Sequence, residues 1–271
     1  MAAPLLLSDL YIYPVKSLGG IRVTEAVVEA RGLRHDRRWL LVDERNQFMT
    51  QRQTAEMALL KVLPAYNGFL LTHTGRPDLL PLYVPFEATP EQTLFVTIWD
   101  DMVFAWRGTP AADAWLTAAL GRICKLVYMS DMVMRATDGG DVAGNVSFAD
   151  AYPFLVIGQS SLQELNSRLA QPVPMDRFRP NFVFTGGQPY EEETWRDFLI
   201  GSLPFQGTRP CGRCVVTTID QTTAQKGVEP LRTMAPYRTQ DGKVMFGQNV
   251  TGPGAGTVRV GDTLAVRSYL P

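Results

Sequence analysis

Apolar residues recur along the chain in short blocks rather than on long helical faces. "LYIYPV", "RWLLVD", "MALLKVL", "PLYVPF", "TLFVTIWD", "DMVFAW", "CKLVYM", "PFLVIG", "NFVFTGG", "CVVTTID" and "TVRVGDTLAVRSY" are rich in β-branched and aromatic residues and are bounded by turn formers. Many short strands spaced in this way predict barrels or sandwiches. Helical signals are clear twice. "TPAADAWLTAALG" has Thr109 as N-cap, Pro110 at the first helical position and Gly121 as a stop. "SSLQELNSRLA" offers a capping box of Ser161 with Glu164 and places Leu162, Leu165 and Leu169 on one face. The stretch 130–147, "SDMVMRATDGGDVAGNVS", reads as a long loop or crossing segment. The expectation is a β-rich α+β protein without internal repeats. A smaller N-terminal β-barrel-like domain, residues 1–115, packs against a C-terminal β-barrel domain, residues 116–271, with the boundary between about Arg107 and Ser130.

Composition narrows the partners. Of 271 residues, 45% are hydrophobic and 20% charged, and 26 Lys and Arg face 27 Asp and Glu for a net charge of −1. This balance gives no bulk attraction to nucleic acid or to an anionic membrane, so any anion site is local. No apolar stretch approaches the ~20 residues of a membrane span. The N-terminus "MAAPLLLSDLYIYP" lacks a basic region and a small-residue cleavage site, and reads as a first strand. Three cysteines do not make a disulfide framework, which points to a reducing, cytoplasmic setting.

Two of those cysteines form "PCGRC", Cys211 and Cys214. Structural zinc needs four ligands, and beyond this pair only Cys124, His35 and His73 are available, with no second knuckle. A thioredoxin-type pair sits at a helix N-terminus. Here "CVVTTID" reads as a strand, so that device is missing. A thiol hydrolase needs a base, but His73 lies in the turn-like "THTGRP" and His35 in the charged "GLRHDRRW". Burial as small apolar groups suits free cysteines, yet it leaves Arg209 and Arg213 beside them unexplained. The remaining reading is a soft metal held by one thiolate, with a cofactor bringing the other ligands. Cys124, opening "CKLVYM" after a helix, reads as core.

Such a cofactor needs anion-binding groups. Lys16 and Ser17 in "YPVKSLGG" follow a strand and precede a glycine turn, a fit for phosphate. "GLRHDRRW" adds Asp36, Arg37 and Arg38, with one arginine expected inward and one toward solvent. "MDRFRPNFVFTGG" carries Arg179, a bidentate donor, and Asn181, suited to a heterocycle edge. Asp150 precedes another apolar strand, where an acid serves as proton donor, orienting group or turn residue.

"YPVKS", "GLRHDRRW", "RQ" at 52–53, "SFADAYPFL", "FRPN", "PCGRCVVTTID", "FGQN" and "VGD" together, in this order and over nearly the whole chain, resemble one family. It is that of MOSC proteins with an N-terminal MOSC β-barrel domain, which includes the mitochondrial amidoxime-reducing component and bacterial hydroxylaminopurine-resistance proteins. The resemblance implies a molybdenum cofactor, with Cys214 as metal ligand and Cys211 in a supporting place. Soft thiolate suits such a centre. It further implies that Lys16, Ser17 and Arg37 hold the pterin phosphate, that Arg179, Asn181 and Arg213 hold the pterin, and that Asp150 relays protons. Tyr152 and Asn249 occupy matching motif positions. Gly212 stands where relatives often have Ser, leaving only backbone to contribute. The implied chemistry is two-electron reduction of small N-hydroxylated compounds: hydroxylaminopurines, amidoximes or hydroxamates. The chain shows neither the C-terminal 2Fe–2S domain of some relatives nor the N-terminal anchor of others. Three cysteines cannot supply a four-cysteine cluster as well as the metal ligand. Electrons are therefore expected from a separate flavin or iron–sulfur partner. A non-catalytic cofactor carrier and a persulfide-carrying sulfur-transfer protein are the alternatives.

Overall fold

The computed structural model describes residues 4–89, 91–137 and 144–270, and the protein is β-rich with three α-helices among them. Its largest sheet runs Leu264–Val266, Asp197–Ile200, Leu203–Gly212, Lys243–Thr251, Phe154–Gly158, Phe182–Thr185, Leu6–Ile12, Ile21–Val23. The sheet closes on itself: Leu7 N donates to Asp262 O at 2.8 Å and Leu264 N to Leu5 O at 2.9 Å. Closure removes the exposed edges that an open sheet would leave. Inside it, Phe154, Phe182 and Phe205 pack with ring centroids 5.3 to 5.6 Å apart, and Phe184, Trp195 and Phe198 extend the buried cluster. The remaining strands form three smaller sheets. One is Trp39–Val42, Lys125–Tyr128, Asp101–Arg107 and Thr93–Ile98. Another is Leu60–Ala65, Gly68–His73 and Leu82–Pro85, and in the third Glu25–Glu29 lies between Ala255–Arg259 and Gly32–Leu33. The first strand thus sits in the C-terminal barrel, and Ala255–Arg259 returns to pair with the N-terminal half.

The helix Pro110–Leu120 forms as its caps require. Thr109 Oγ1 accepts from Ala112 N at 3.2 Å, and Gly121 takes the left-handed φ of 65° that ends it. The second helix differs from expectation. It spans Gln159–Arg168 with Gly158 as N-cap and no capping side chain. Ser161 Oγ instead donates to the Glu192 carboxylate at 2.9 Å, while Glu164 is held by Arg168 and Tyr190. A buried acid outcompetes the local cap. Leu165 is buried, and Leu162 and Leu169 pack beside it. A third helix, Leu231–Arg238, has no clear counterpart in the pattern because Pro236 lies within it. "CVVTTID" is not a strand: Val215–Thr218 is one 3-10 turn, in which the Thr217 and Thr218 hydroxyls donate to the carbonyls of Cys214 and Val215 at 2.9 and 2.8 Å. Those local bonds give β-branched residues an alternative to a ladder. Of the crossing segment, residues 138–143 lie outside the described part. On its flanks Val146 N donates to Arg135 O at 2.8 Å. No described helix is long and apolar enough to cross a membrane.

Glu192 is buried without a cation, its carboxylate accepting from Gly158 N at 3.1 Å and from Ser161. Burial pushes its carboxyl up to about 7, from an ordinary 4.5, against the pull of those hydrogen bonds. The folded pKa exceeds the unfolded one, so ionisation opposes folding: there is no cost below about pH 4.5, and the full cost is reached above about pH 7. At ~1.4 kcal/mol per unit this amounts to roughly 3 kcal/mol. Glu192→Gln is expected to match wild type in urea unfolding at pH 5 and to exceed it by roughly 2–3 kcal/mol at pH 8. Parallel pH dependences for the two proteins would sink this account.

Candidate functional site

Strand direction gathers the functional side chains. Phe154–Gly158 and Phe182–Thr185 are parallel, so both start at one end of the barrel. Leu6–Ile12 runs antiparallel to Phe182–Thr185 and delivers the Lys16 loop to that end. Leu203–Gly212 and Phe154–Gly158 are both antiparallel to Lys243–Thr251, and Arg209, level with Leu155 across Asn249, opens the stretch that leads along the cavity into Cys214. Between these loops lies a cavity of about 470 Å³. Lys16, Ser17, Arg37, Asp150, Tyr152, Arg179, Asn181, Gly212, Arg213, Cys214 and Asn249 all line it. Seven cationic side chains and two carboxylates face the cavity, which suits an anionic ligand.

Its inner wall is built on Tyr13. The guanidiniums of Arg37 and Arg179 lie 4.6 and 4.2 Å from that ring's centroid. Asp36, 1% exposed, accepts from Tyr13 N at 2.7 Å and from Arg37 at 2.5 Å. Arg37 also donates to Asn181 Oδ1 at 3.1 Å and to Arg179 O at 3.2 Å. Ser17, Arg37 and Arg179 all have left-handed φ, 65°, 51° and 55°. Non-glycine residues seldom hold such values without tertiary restraint. Arg38 does not reach solvent as expected. It is buried, donates to Met129 O and pairs with Asp131 at 2.8 Å, so both arginines of "DRR" turn inward. Asn181 is wholly buried, and its amide is engaged by Arg37, Leu155 N and Tyr11 O. Burial pushes the Arg179 guanidinium down to about 10. Arg179 Nη1 donates to Leu18 O, but Arg179 Nη2 and Arg213 Nε are buried without a partner among the described residues. Buried donors of this kind call for an acceptor. They fit the phosphate, carbonyl and ring-nitrogen acceptors of a phosphorylated pterin.

On the opposite wall Lys16 Nζ donates to Phe148 O at 2.6 Å and to Asp150 Oδ1 at 2.5 Å. Burial pushes the ammonium down to about 8, with Asp150 pulling it back up. Desolvation would raise the Asp150 carboxyl, but Lys16 and Arg52 hold it well below the usual carboxylate range. That side chain still shows 54% of its surface to the open cavity, so solvent screens the effect. Asp150 is thus an ionised acceptor in this arrangement. Cys214 has extended backbone, φ −119°, ahead of the single 3-10 turn. One short turn aligns too few peptide dipoles to rebuild a thioredoxin-type helix N-terminus. Arg213 donates to Cys211 Sγ at 3.1 Å and to Phe178 O at 2.7 Å, and all three cysteines are free thiols. Cys124 is buried, and burial pushes its thiol up to about 11, in keeping with core. No three His, Cys, Asp or Glu side chains converge as a metal set among the described residues. Neither histidine lines the cavity: His35 stacks on Phe86 at 4.1 Å, and His73 accepts from Gly75 N in a turn.

The structure adds residues with weak sequence signals. Arg52, in the "RQ" of 52–53, pairs with Asp150 Oδ2 at 3.2 Å and lines the cavity together with Cys214. Arg209 lies over the Tyr152 ring at 5.3 Å. Lys243 lies along Gly212, where a Cβ would come within 3.0 Å of its Cδ, so glycine leaves room for that stem. The sequence marks Arg52 by its motif and Arg209 by its nearness to the cysteine pair without giving either a role, and nothing in the local pattern distinguishes Lys243 from solvated surface charge.

Residues 143–265 match the MOSC domain and residues 5–123 match the MOSC N-terminal beta barrel domain. The chain is 34% identical to mitochondrial amidoxime-reducing component 1 of Mus musculus over 94% of its own length and 80% of the relative's. For the Homo sapiens protein of the same name the identity is 32%, over 94% and 81%. It is 30% identical to the molybdenum cofactor sulfurase of Arabidopsis thaliana over 89% of this chain, but spans only 32% of that longer protein. With both domains matched in order, and with relatives covered over most of their length, the chain belongs to the family of MOSC proteins that carry the N-terminal MOSC β-barrel domain.

Proposed function

We propose that the cavity binds molybdenum cofactor with Cys214 as the protein's ligand to the metal. The chain then reduces small N-hydroxylated compounds, such as hydroxylaminopurines, amidoximes and hydroxamates, with electrons from a separate flavin or iron–sulfur donor. The observation that carries this reading is the shared cavity: Cys214 faces the same space as half-buried Arg179 and Arg213, each with one buried guanidinium nitrogen that has no partner among the described residues. When bound, the cofactor supplies the two-electron redox change and the soft metal that takes the substrate oxygen. Lys16, Ser17 and Arg37 hold its phosphate end, and Arg179 and Arg213 hold the pterin. Asn181, whose amide ties Arg37 to two strands, acts by positioning. Asn249 donates to Arg209 O at 3.2 Å and so keeps the strand into Cys214 in register. Tyr152 forms wall beneath Arg209, and Gly212 offers backbone alone. Asp150 is the proton-relay residue, its ionised Oδ1 accepting from the Lys16 ammonium and orienting that donor at the cavity wall.

The test is metal analysis of protein made in a host with intact cofactor synthesis, followed by reduction of benzamidoxime with a reduced dye. Near-stoichiometric molybdenum with turnover is expected. Molybdenum without turnover would replace the reductase by a cofactor carrier. No molybdenum, with one added sulfur on Cys214 by intact mass, would replace it by sulfur transfer.

A further inference from the structure

The site described so far is built almost wholly from loops of the closed barrel, yet Arg52 enters it from the N-terminal half. Its side chain is 22% exposed, pairs with Asp150 Oδ2 at 3.2 Å and faces the same cavity as Cys214, close enough for its charge to act on that sulfur. Its guanidinium also lies 4.7 Å from the centroid of the Trp99 ring, which in turn packs on Phe48 at 5.0 Å. Trp99 is the first residue of the tight turn between Thr93–Ile98 and Asp101–Arg107, with a left-handed φ of 54°. A bulky residue in that conformation needs tertiary restraint. Two residues on, Asp101 provides it through a 2.7 Å ion pair with Arg135, which is 6% exposed. Arg135 donates in addition to the carbonyls of Ser147, Ala149 and Asp150 at 3.2, 2.6 and 3.3 Å. The hairpin tip and the Asp150 loop are therefore joined twice, through Trp99 and Arg52 and through Asp101 and Arg135.

We infer that Arg52 is a positioning residue for the reaction at Cys214, set in place by the Trp99 turn. A guanidinium is a rigid planar fork that stays protonated. With one edge on the carboxylate and its charge beside the sulfur, it fixes the proton-handling group relative to the metal-ligating one. An ammonium at the same place supplies the charge without that geometry. The inference rests on the reading of Cys214 proposed above.

Its test compares wild type, Arg52→Gln, Arg52→Lys and Trp99→Leu as metal-loaded proteins, with molybdenum content, the visible thiolate-to-metal absorption band, and kcat and KM for benzamidoxime. Arg52→Gln is expected to keep its molybdenum, shift the band and lose about tenfold or more in kcat with KM changed less than about threefold. Arg52→Lys recovers only a minor part of kcat, and Trp99→Leu loses about threefold. Unchanged kcat and band in Arg52→Gln would overturn the inference, as would a fully active Arg52→Lys. Loss of molybdenum in both Arg52 variants would overturn it in favour of a cofactor-holding role. Wild type without molybdenum is a separate result, visible before any variant is made, and counts against the cofactor reading itself.

Discussion

Cys214→Ala is expected to lose its molybdenum and to reduce benzamidoxime at less than about a thousandth of the wild-type rate, a barrier increase of ~4 kcal/mol. The side chain is half-buried at the cavity wall and belongs to none of the apolar clusters, so its removal opens no core cavity. Folding stability should change by no more than roughly 1 kcal/mol. In the proposed reading the loss is then chemical: the metal would be deprived of its one protein ligand, and the remaining contacts would hold only the organic part of the cofactor. Cys211→Ala serves as the comparison, because that sulfur accepts from Arg213 and packs toward the cluster around Phe178 and Phe246. It is expected to retain molybdenum. Metal retained in Cys214→Ala and lost in Cys211→Ala would reverse the assignment.

Asp36→Asn should have the largest effect on stability among the site's supports, a loss of ~3–5 kcal/mol. The carboxylate is buried, with one oxygen on Tyr13 N and the other on Arg37. Burial by itself would pull the Arg37 guanidinium down, but Asp36 and Tyr13 more than offset this and the net shift is upward. Asparagine can still accept from Tyr13 N, but it cannot neutralise a cation packed against the same ring as the Arg179 guanidinium. Two buried cations would then face each other with no acid between them. Urea unfolding of the cofactor-free protein measures the loss, with Asp43→Asn, whose carboxylate caps an exposed turn, as reference. A difference below ~1 kcal/mol would show that the cavity hydrates Arg37 and that Asp36 is not its essential counter-charge. Displacement of Arg37 should also lower molybdenum occupancy, through an effect on the site separate from the effect on folding.

Short-range physics made much of this protein legible in its sequence. Period-2 apolar blocks announce strands, and a Thr-Pro start with a glycine stop announces the helix Pro110–Leu120, because each signal acts within a few residues. The family motifs put eleven named side chains forward, and the barrel brings all of them to one cavity. The closed barrel itself depends on pairing between Leu6–Ile12 and Phe182–Thr185, far apart along the chain, and no local pattern encodes a partner. The same holds where a distant group outbid a local one. Ser161 abandons its cap for Glu192, and Arg38 turns from solvent to Met129 and Asp131. The "VVTT" run coils for a local reason instead, its hydroxyls finding carbonyls three residues back. Arg52 is the clearest case. The "RQ" motif marks its position but assigns it no role, and the folded chain sets its guanidinium against Asp150 and over Trp99, at a hairpin tip whose Asp101 is held by Arg135. Residue types and local order set which side chains were available for chemistry; the through-space hydrogen bonds and stacked rings of the folded chain decided which of them meet.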